Sequence, residues 1–302
     1  MVRRRTALLR PVSTNTLHGH LMSSNLQAPP SVDPAHRVAG KVALVTGAGS
    51  SAVGIGNGRA AALLLAKHGA KVAVVDANAE SAAETARMIE SEGGESLVIR
   101  ADVSQVADCE AAVRSTVDRW GQLDILVNNV GTSRVRGDAV ALDLDEWDRG
   151  MRINVKSMVM MMRYAVPQMK LRAGGSVINI ASITAFHGGH PNLFYPTSKA
   201  AVVHLTRTMA GNHGPDGIRV NCVAPGFVYT PVVYGPGLPE GVREARRMSS
   251  ALKTEGNAWD VAYGILYLAS EESRWVTGIV LPIDAGTSAI SPHFQISSQR
   301  QS

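Results

Sequence analysis

The stretch TGAGSSAVGIGNGRAAALLLAKHGA, residues 46–70, contains six glycines, five of them between the end of an apolar run and an Ala- and Leu-rich segment. The run before it, KVALVT (41–46), has the β-branched composition of a strand, and the segment after it is typical of a helix. Glycine permits a tight turn and lets backbone N–H groups approach a phosphate, which the positive end of a helix also favours. The stretch therefore predicts a strand–turn–helix unit that binds a pyrophosphate.

Two assignments of these glycines are open. In both, Gly47 makes the turn out of the strand. Counting back from the helix, Gly58 lets the helix pack closely on the strand and Gly56 lies at the pyrophosphate. The alternative assignment uses Gly54, Ile55 and Gly56 instead.

Beyond this unit, short β-branched runs alternate with longer helical segments over most of the chain. The candidate strands are residues 41–46, 71–76, 96–102, 123–129, 175–182, 218–224 and 278–284. Such a βαβ rhythm predicts an α/β fold, a doubly wound parallel sheet of seven strands with helices on both faces.

The two ends of the chain differ from this pattern. Residues 1–38 contain five arginines and one acid, and so supply four of the five formal positive charges. We expect this segment to be a disordered extension or a targeting leader, because transit peptides are Arg-rich and acid-poor; a true start at Met22 is a further alternative. Residues 39–288 form the predicted domain and 289–302 a C-terminal tail. The expected location is cytoplasmic, or mitochondrial if residues 1–38 are a transit peptide.

Composition also excludes several classes of function. Outside residues 1–38 the chain is nearly neutral and has no basic run with interleaved aromatics, so a nucleic-acid partner is not expected. No apolar run approaches the roughly 18 residues of a membrane span. Cys109 and Cys222 are far apart in apolar surroundings, which favours two buried thiols over a disulfide, and no metal site is predicted.

Two acids follow predicted strands. Asp76 closes the second strand 18 residues after Gly58, about where a carboxylate would accept from a ribose diol and repel a 2′-phosphate. This position favours NAD over NADP. Asp102 follows the third strand and is either a contact for the adenine edge or a helix cap.

Three further residues form a possible reaction centre. Tyr195 and Lys199, four residues apart at the start of a predicted helix, share one helix face. A cation beside a tyrosine stabilises the phenolate, which otherwise forms only near pH 10. Ser182 ends the fifth predicted strand, where sites in open α/β sheets lie, and its hydroxyl could hold a carbonyl oxygen.

Together these motifs resemble those of the short-chain dehydrogenase/reductases, single-domain enzymes that pass hydride between a nicotinamide and an alcohol or ketone. The resemblance covers residues 39 to about 288. It is carried by TGAGSSAVGIGNG, ADV (101–103), NNVG (128–131), INV (153–155), Ser182, YPTSK (195–199) and APGFVYT (224–230). It implies a Rossmann sheet, a nicotinamide cofactor (NAD or NADP) and a homo-oligomer, a dimer or tetramer.

The resemblance also implies a catalytic tetrad of Asn154, Ser182, Tyr195 and Lys199. Tyr195 would exchange a proton with the substrate oxygen, and Lys199 would lower its pKa and hold the cofactor ribose. Ser182 would orient the substrate oxygen, and Asn154 would bind a water that relays protons from Lys199 to solvent.

The resemblance implies five positions outside the glycine loop and the tetrad as cofactor contacts. Asp102 and Val103 belong to the ADV motif. Asn129 would stabilise the central strands and approach the cofactor, and Val228 and Thr230 would meet the nicotinamide carboxamide.

The chain departs from the family in its glycine loop. Gly47 and Gly56 are separated by eight residues, where the family usually has three. Five residues therefore bulge from the loop, and Ser50 and Ser51 become candidate contacts for the pyrophosphate or the adenosine ribose.

The substrate is expected to lie between residues 183–194 and a lid at 231–256, whose apolar side chains suggest an apolar or cyclic alcohol or ketone. One alternative is an NADPH-dependent ketoreductase of a secondary-metabolite or lipid pathway. Another is a dinucleotide-binding protein without catalysis.

Overall fold

The computed structural model describes residues 33–290, and these form a seven-stranded parallel sheet flanked by helices. The strands are β1 (Val42–Thr46), β2 (Lys71–Asp76), β3 (Ser96–Arg100), β4 (Ile125–Asn128), β5 (Gly175–Ile180), β6 (Ile218–Pro225) and β7 (Val280–Ile283). Their order in the sheet is β3-β2-β1-β4-β5-β6-β7, and every neighbouring pair is parallel. The predicted α/β fold with seven parallel strands is confirmed.

The connections are mostly helical. The α-helices are α1 (Asn57–Lys67), α2 (Ala79–Ser91), α3 (Val106–Trp120), α4 (Leu144–Met151), α5 (Ser157–Leu171), α6 (Phe194–His213), α7 (Pro231–Tyr234), α8 (Glu240–Met248) and α9 (Ala258–Ala269). A π-helical turn, Arg152–Lys156, joins α4 to α5. Parallel strands need such crossovers because consecutive strands must start from the same edge of the sheet.

The sheet divides the core into two layers. Helices α1, α2 and α9 cover one face, and α3, α5 and α6 cover the other. Successive residues of β1 alternate between the layers, Ala43 and Val45 on one side and Leu44 on the other. Because both faces are covered, the central strands are apolar throughout, which explains why they read as continuous hydrophobic runs.

The methionines of α5 fill the second layer. Met158, Met160, Met161 and Met162 are all buried. Cys109 and Cys222 are buried in the same layer, as predicted, and burial raises the pKa of both thiols to about 11. Among residues 33–290, no helix is long and apolar enough to cross a membrane, and no cluster of His, Cys, Asp or Glu could hold a metal ion.

The N-terminal boundary of the domain lies earlier in the chain than the predicted residue 39. Arg37 and Val38 were assigned to the N-terminal extension, yet Val38 is buried in the first core layer. Arg37 donates two hydrogen bonds to the Glu272 carboxylate, at 2.6 and 2.5 Å. These two residues therefore pack with the domain. Residues 1–32 of the predicted extension and residues 291–302 of the predicted tail lie outside the described residues.

The turn between β1 and α1 brings strand and helix into close contact. Gly47 has φ +63°, a left-handed conformation that favours glycine. A Cβ on Gly58 would overlap the carbonyl oxygen of Gly47 and lie 2.5 Å from Asn129 Nδ2. Gly58 is thus the glycine that lets α1 approach β1, as the first of the two assignments predicts. Gly56, the N-cap of α1, has open space around it, with Ser50 Oγ 3.9 Å away as its nearest neighbour.

These environments predict different effects for two alanine substitutions. Gly58→Ala should lower the free energy of unfolding by about 1–3 kcal/mol, because rigid backbone blocks the added methyl group. Gly56→Ala, two residues away, should leave it nearly unchanged. Urea unfolding of both variants beside the wild type checks this, and equal losses of stability would contradict the packing described for Gly58.

Candidate active site

The predicted reaction centre assembles at the carboxyl edge of the sheet. Ser182 lies two residues beyond the end of β5, and Tyr195 and Lys199 project from the first turns of α6. The sheet order reverses between β1 and β4, whose carboxyl ends lie at this same edge. Ligands of open α/β sheets bind at such a switch point.

Lys199 is the most deeply buried ionisable group of the centre, with 3% of its surface exposed. Its Nζ donates a hydrogen bond to the carbonyl oxygen of Ile180 at 2.9 Å and lies 5.7 Å from the centre of the Tyr195 ring. Burial lowers the pKa of the Lys199 amine from 10.5 to about 8, because the charged form loses hydration. At neutral pH the amine is therefore still mostly protonated.

The phenol of Tyr195 has a raised pKa. Burial of the phenol raises it above the ordinary value of 10.0, and a hydrogen bond with the Ser182 hydroxyl opposes that shift. The expected lowering by Lys199 is absent from this arrangement, because burial dominates and the amine is directed to the carbonyl of Ile180. The structure thus brings Ser182, Tyr195 and Lys199 together, while the acidic phenol expected from the sequence does not follow from these side chains alone.

Asn154 lies in the π-helical turn and is fully buried. Its Oδ1 accepts from the backbone N–H of Thr132 at 2.7 Å, and its Nδ2 donates to the carbonyl of Thr132 and to Ser198 Oγ, both at 2.9 Å. These bonds use both polar atoms of the side chain. Both N–H groups of the amide are thus used, while Oδ1 keeps one lone pair that could accept from a relay water of the kind expected at Asn154.

Two further residues of this network, Ser198 and Gly131, were not predicted as site residues. Ser198 Oγ donates to the carbonyl of Tyr195 at 2.8 Å and so connects Asn154 to the helix that carries the phenol. A Cβ on Gly131 would lie 3.1 Å from Lys199 Nζ and 3.5 Å from Asn154 Oδ1. Both residues belong to motifs quoted from the sequence, YPTSK and NNVG, which is the signal that could have identified them.

The predicted ribose-binding acid lies against the glycine loop. Asp76 Oδ2 accepts from the backbone N–H of Gly49 and Oδ1 from that of Asn78, both at 2.9 Å. The carboxylate thereby fixes the loop relative to the end of β2. Among residues 33–290, Asp76 forms no ion pair with a lysine or arginine.

The remaining strand-end candidates have different surroundings. Asn129 Nδ2 donates to the carbonyls of Thr46 and Gly47, at 3.1 and 3.0 Å, and so ties the end of β4 to the glycine turn. Asp102 is exposed and accepts from the backbone N–H of Ser104 at 2.9 Å, which makes it a turn residue rather than the N-cap of α3. Val103 is buried in the second core layer.

The inserted part of the glycine loop contacts both α2 and the lid. The N–H of Ser50 donates to Ser81 Oγ at 2.7 Å, whereas Ser51 is exposed. Tyr234 Oη donates to the carbonyl of Val53 at 3.1 Å. Ile55 packs beside the first core layer, and Gly54 has φ +121° and lies so close to the Tyr234 hydroxyl that a Cβ would overlap it. The insertion therefore reaches α7 of the lid.

Arg59, which was not predicted as a site residue, is hydrogen-bonded to the glycine loop. This arginine of α1 is 1% exposed. It donates to the carbonyl of Gly54 at 3.0 Å, to Thr85 Oγ1 at 2.9 Å and to Glu84 Oε2 at 2.6 Å. An arginine within an otherwise Ala- and Leu-rich helix was the available signal.

The predicted lid contains α7 and α8 and follows the end of β6. Val228 pairs with Gly256 in an isolated parallel bridge, and the N–H of Tyr229 donates to the carbonyl of Gly256 at 2.8 Å. Thr230 is buried and precedes α7. Val228 and Thr230 thus lie at the carboxyl edge of the sheet, as does Ser182.

Several apolar side chains of the expected substrate region are exposed. Phe186, Leu193, Val232 and Met248 have 38%, 41%, 67% and 44% of their surface accessible. Phe194 differs, because it is fully buried and packs edge to face with Trp147, with ring centres 5.8 Å apart. Phe194 therefore belongs to the core and does not line a substrate site.

The sequence of this chain is similar to those of known dehydrogenases and reductases. A sequence profile of the family described as "Enoyl-(Acyl carrier protein) reductase" matches residues 50–288. The trans-4-hydroxycyclohexanecarboxylate dehydrogenase of Sinomonas cyclohexanicum is 38% identical over 259 residues, which cover 84% of this chain and 95% of the relative. The 7α-hydroxysteroid dehydrogenase of Bacteroides fragilis is 30% identical over 259 residues, 85% of this chain and 98% of the relative.

A solved structure shares the fold as well. The crystal structure of a 7α-hydroxysteroid dehydrogenase with NADH and 7-oxo glycochenodeoxycholic acid has a TM-score of 0.77 and 31% identity, with 83% of this chain and 96% of that chain covered. The sheet order, the sequence motifs and these matches lead to one conclusion. The chain belongs to the short-chain dehydrogenase/reductase family and is an oxidoreductase.

Proposed function

We propose that the protein transfers hydride between a nicotinamide cofactor, preferably NAD, and a cyclic secondary alcohol or ketone, with Tyr195 as the proton donor and acceptor. The observation that carries the proposal is the meeting of three side chains at the carboxyl edge. The Ser182 hydroxyl acts on the Tyr195 phenol and opposes the rise in its pKa, and the Lys199 amine lies 5.7 Å from the centre of that ring. General acid–base chemistry at an alcohol needs such a group within reach of the reacting oxygen.

The glycine loop fits a dinucleotide. Helix α1 has no side-chain cap at its N-terminus, so its first N–H groups remain available to an anion. Gly56 at this terminus leaves space for a pyrophosphate, because the position of its missing Cβ has no neighbour closer than 3.9 Å. When bound, the nicotinamide supplies or accepts the hydride.

Asp76 supports the preference for NAD. Its carboxylate lies beside the loop that would contact the adenosine, where a 2′-phosphate would meet a like charge. Arg59, the buried arginine beneath the same loop, is already bonded to Glu84 and to the carbonyl of Gly54. It therefore offers no free guanidinium to balance a 2′-phosphate.

Proton transfer is assigned to Tyr195. In alcohol oxidation its phenolate would accept the hydroxyl proton, and in ketone reduction its phenol would donate one. Ser182 would hold the substrate oxygen at the distance that this exchange requires. Because burial raises the phenol pKa, the base form needs positive charge nearby, and Lys199 is the cation that the chain provides.

The cyclic substrate is suggested by both the structure and the relatives. Exposed Phe186, Leu193, Val232 and Met248 give the region around Ser182 and the lid an apolar character. The trans-4-hydroxycyclohexanecarboxylate and 7α-hydroxysteroid dehydrogenases, two relatives that cover most of this chain, are named for ring alcohols. The homo-oligomeric state and the cytoplasmic or mitochondrial location stay predictions.

The proposal predicts the behaviour of Tyr195→Phe. With NAD⁺ and a panel of cyclic alcohols, the wild type should form NADH more efficiently than it forms NADPH from NADP⁺. The variant should lose about 10²–10⁴-fold in kcat, because the proton acceptor is gone. Its Kd for NAD⁺ should remain unchanged.

Tyr263→Phe is the matched control, since that tyrosine is 56% exposed on α9. It should keep wild-type kcat. Full turnover in Tyr195→Phe would remove the phenol from the reaction, and higher efficiency with NADP⁺ would favour the NADPH-dependent ketoreductase instead.

Burial of the Lys199 amine should make the free energy of unfolding depend on pH. Its pKa is about 8 in the folded protein against 10.5 as the ordinary value, so the unfolded chain binds more protons between these pH values. The free energy of unfolding of the wild type should therefore rise as the pH increases through this window, by at most about 3 kcal/mol. Lys199→Met cannot show this rise, and it should be inactive.

The difference in stability between Lys199→Met and the wild type should accordingly shift in favour of the wild type from pH 7 to pH 10. The lost hydrogen bond to the Ile180 carbonyl adds an offset that does not depend on pH. Lys67→Met, at an exposed position of α1, is the control and should follow the wild-type pH profile. If the difference in the free energy of unfolding between the two proteins stays constant across this range, burial does not lower the pKa of Lys199.

A further inference from the structure

Helix α8 of the lid carries three arginines, of which two are matched by carboxylates. Arg243 donates two hydrogen bonds to the Glu255 carboxylate, at 2.9 and 2.5 Å. Arg247 does the same with Glu244, at 2.7 and 2.6 Å. Arg246, between them in sequence, forms no ion pair within residues 33–290.

Arg246 is nevertheless only partly exposed. Its guanidinium lies 5.0 Å from the centre of the Phe227 ring, and its Nη2 lies 3.4 Å from the carbonyl oxygen of Val228. Burial lowers the pKa of this group, and the Glu255 carboxylate, which is hydrogen-bonded to Arg243, opposes that shift. A half-buried guanidinium that has no carboxylate within hydrogen-bonding distance is stabilised when a further anion reaches it.

No acidic side chain within residues 33–290 lies close enough to Arg246 to form an ion pair with it. Residues 1–32 and 291–302, which lie outside the described range, contain no Asp or Glu. Glu255 and Glu244 are already bonded to Arg243 and Arg247, and Glu240 at the start of α8 forms no ion pair with Arg246. The counter-ion of Arg246 is therefore to be sought among ligands.

The position of Arg246 indicates which bound molecule would supply this anion. Phe227 and Val228 lie two and three residues beyond the end of β6 at the carboxyl edge of the sheet, the edge at which Ser182 follows β5. A pyrophosphate is already provided for at the N-terminus of α1, which follows β1 and is separated from β6 by β4 and β5. The anion at Arg246 is thus expected to belong to the substrate.

We infer that Arg246 binds a carboxylate on the substrate, so that the natural substrate is a cyclic hydroxy acid or keto acid whose carboxylate lies away from the reacting carbon. This inference rests on the proposed function for the reaction itself. A guanidinium suits this role because its planar donors match both oxygens of a carboxylate. The Phe227 ring on one side would keep the guanidinium oriented while the substrate ring lies among the apolar side chains of the lid.

The test compares trans-4-hydroxycyclohexanecarboxylate with its neutral carboxamide in the wild type, Arg246→Gln and Arg246→Lys. The wild type should prefer the carboxylate by about 10- to 100-fold in kcat/KM, with most of the difference in KM, as expected for one charged hydrogen-bonded pair. Arg246→Gln should abolish this preference, because the KM for the carboxylate rises to that for the carboxamide. Arg246→Lys should restore part of it.

Arg247→Gln is the matched control, because Arg247 is exposed and paired with Glu244. It should retain the wild-type preference. Equal use of the two compounds by the wild type would overturn the inference, and so would a preference that survives in Arg246→Gln. A weaker Kd for NAD⁺ in Arg246→Gln with an unchanged carboxylate preference would instead assign the arginine to the cofactor phosphates.

A binding measurement separates this inference from the proposed reaction. If the wild type oxidises neither compound, calorimetric titration of the NAD⁺-loaded protein with cyclohexanecarboxylate reports on the anion site alone. Binding that is lost in Arg246→Gln and kept in Arg247→Gln would support the inference while the proposed reaction fails. No binding to the wild type, or equal binding to Arg246→Gln, would overturn it.

Discussion

Burial of the Lys199 ammonium beside the Tyr195 phenol is the constraint on which the candidate site depends. The amine has one protein hydrogen-bond acceptor, the carbonyl of Ile180, and Gly131 leaves the space that it occupies. Removing this charge from water lowers the Lys199 pKa, and removing the phenolate from water raises the Tyr195 pKa. Both shifts oppose ionisation, so the pair does not stabilise the fold, and the proposed reaction gives a reason for its presence.

The glycine loop is held from three sides. Asp76 holds the Gly49 N–H, Arg59 holds the carbonyl of Gly54, and Tyr234 of the lid donates to the carbonyl of Val53. The third contact exists because five additional residues extend the loop toward α7. A lid that contacts both the cofactor loop and, through Arg246, the end of β6 would connect the two ends of the proposed ligand site.

The sequence predicted the sheet well because both faces of a parallel sheet are buried, and its strands therefore read as separate apolar runs between helices. It also singled out Ser182, Tyr195 and Lys199 from their spacing and strand-end positions, and the structure brings these three side chains to one edge of the sheet. It could not predict that burial would outweigh the effect of Lys199 on the phenol, because that balance depends on the surrounding packing. Nor could it predict that the Asn154 side chain is occupied by Thr132 and Ser198, or that Arg246 lacks the carboxylate that its neighbours have, since these contacts depend on tertiary structure.

The most direct test of the central claim is a pH titration of the Tyr195 phenol by tyrosinate absorbance, taken as the difference between the wild type and Tyr195→Phe, with and without NAD⁺. Without cofactor, the pKa should lie above its ordinary value of 10.0. With NAD⁺ it should fall below that value in the wild type, and it should stay higher when Lys199 is replaced by methionine. The same Tyr195 pKa with and without NAD⁺, and with and without Lys199, would contradict the proposal that this phenol moves the proton under the influence of the buried amine.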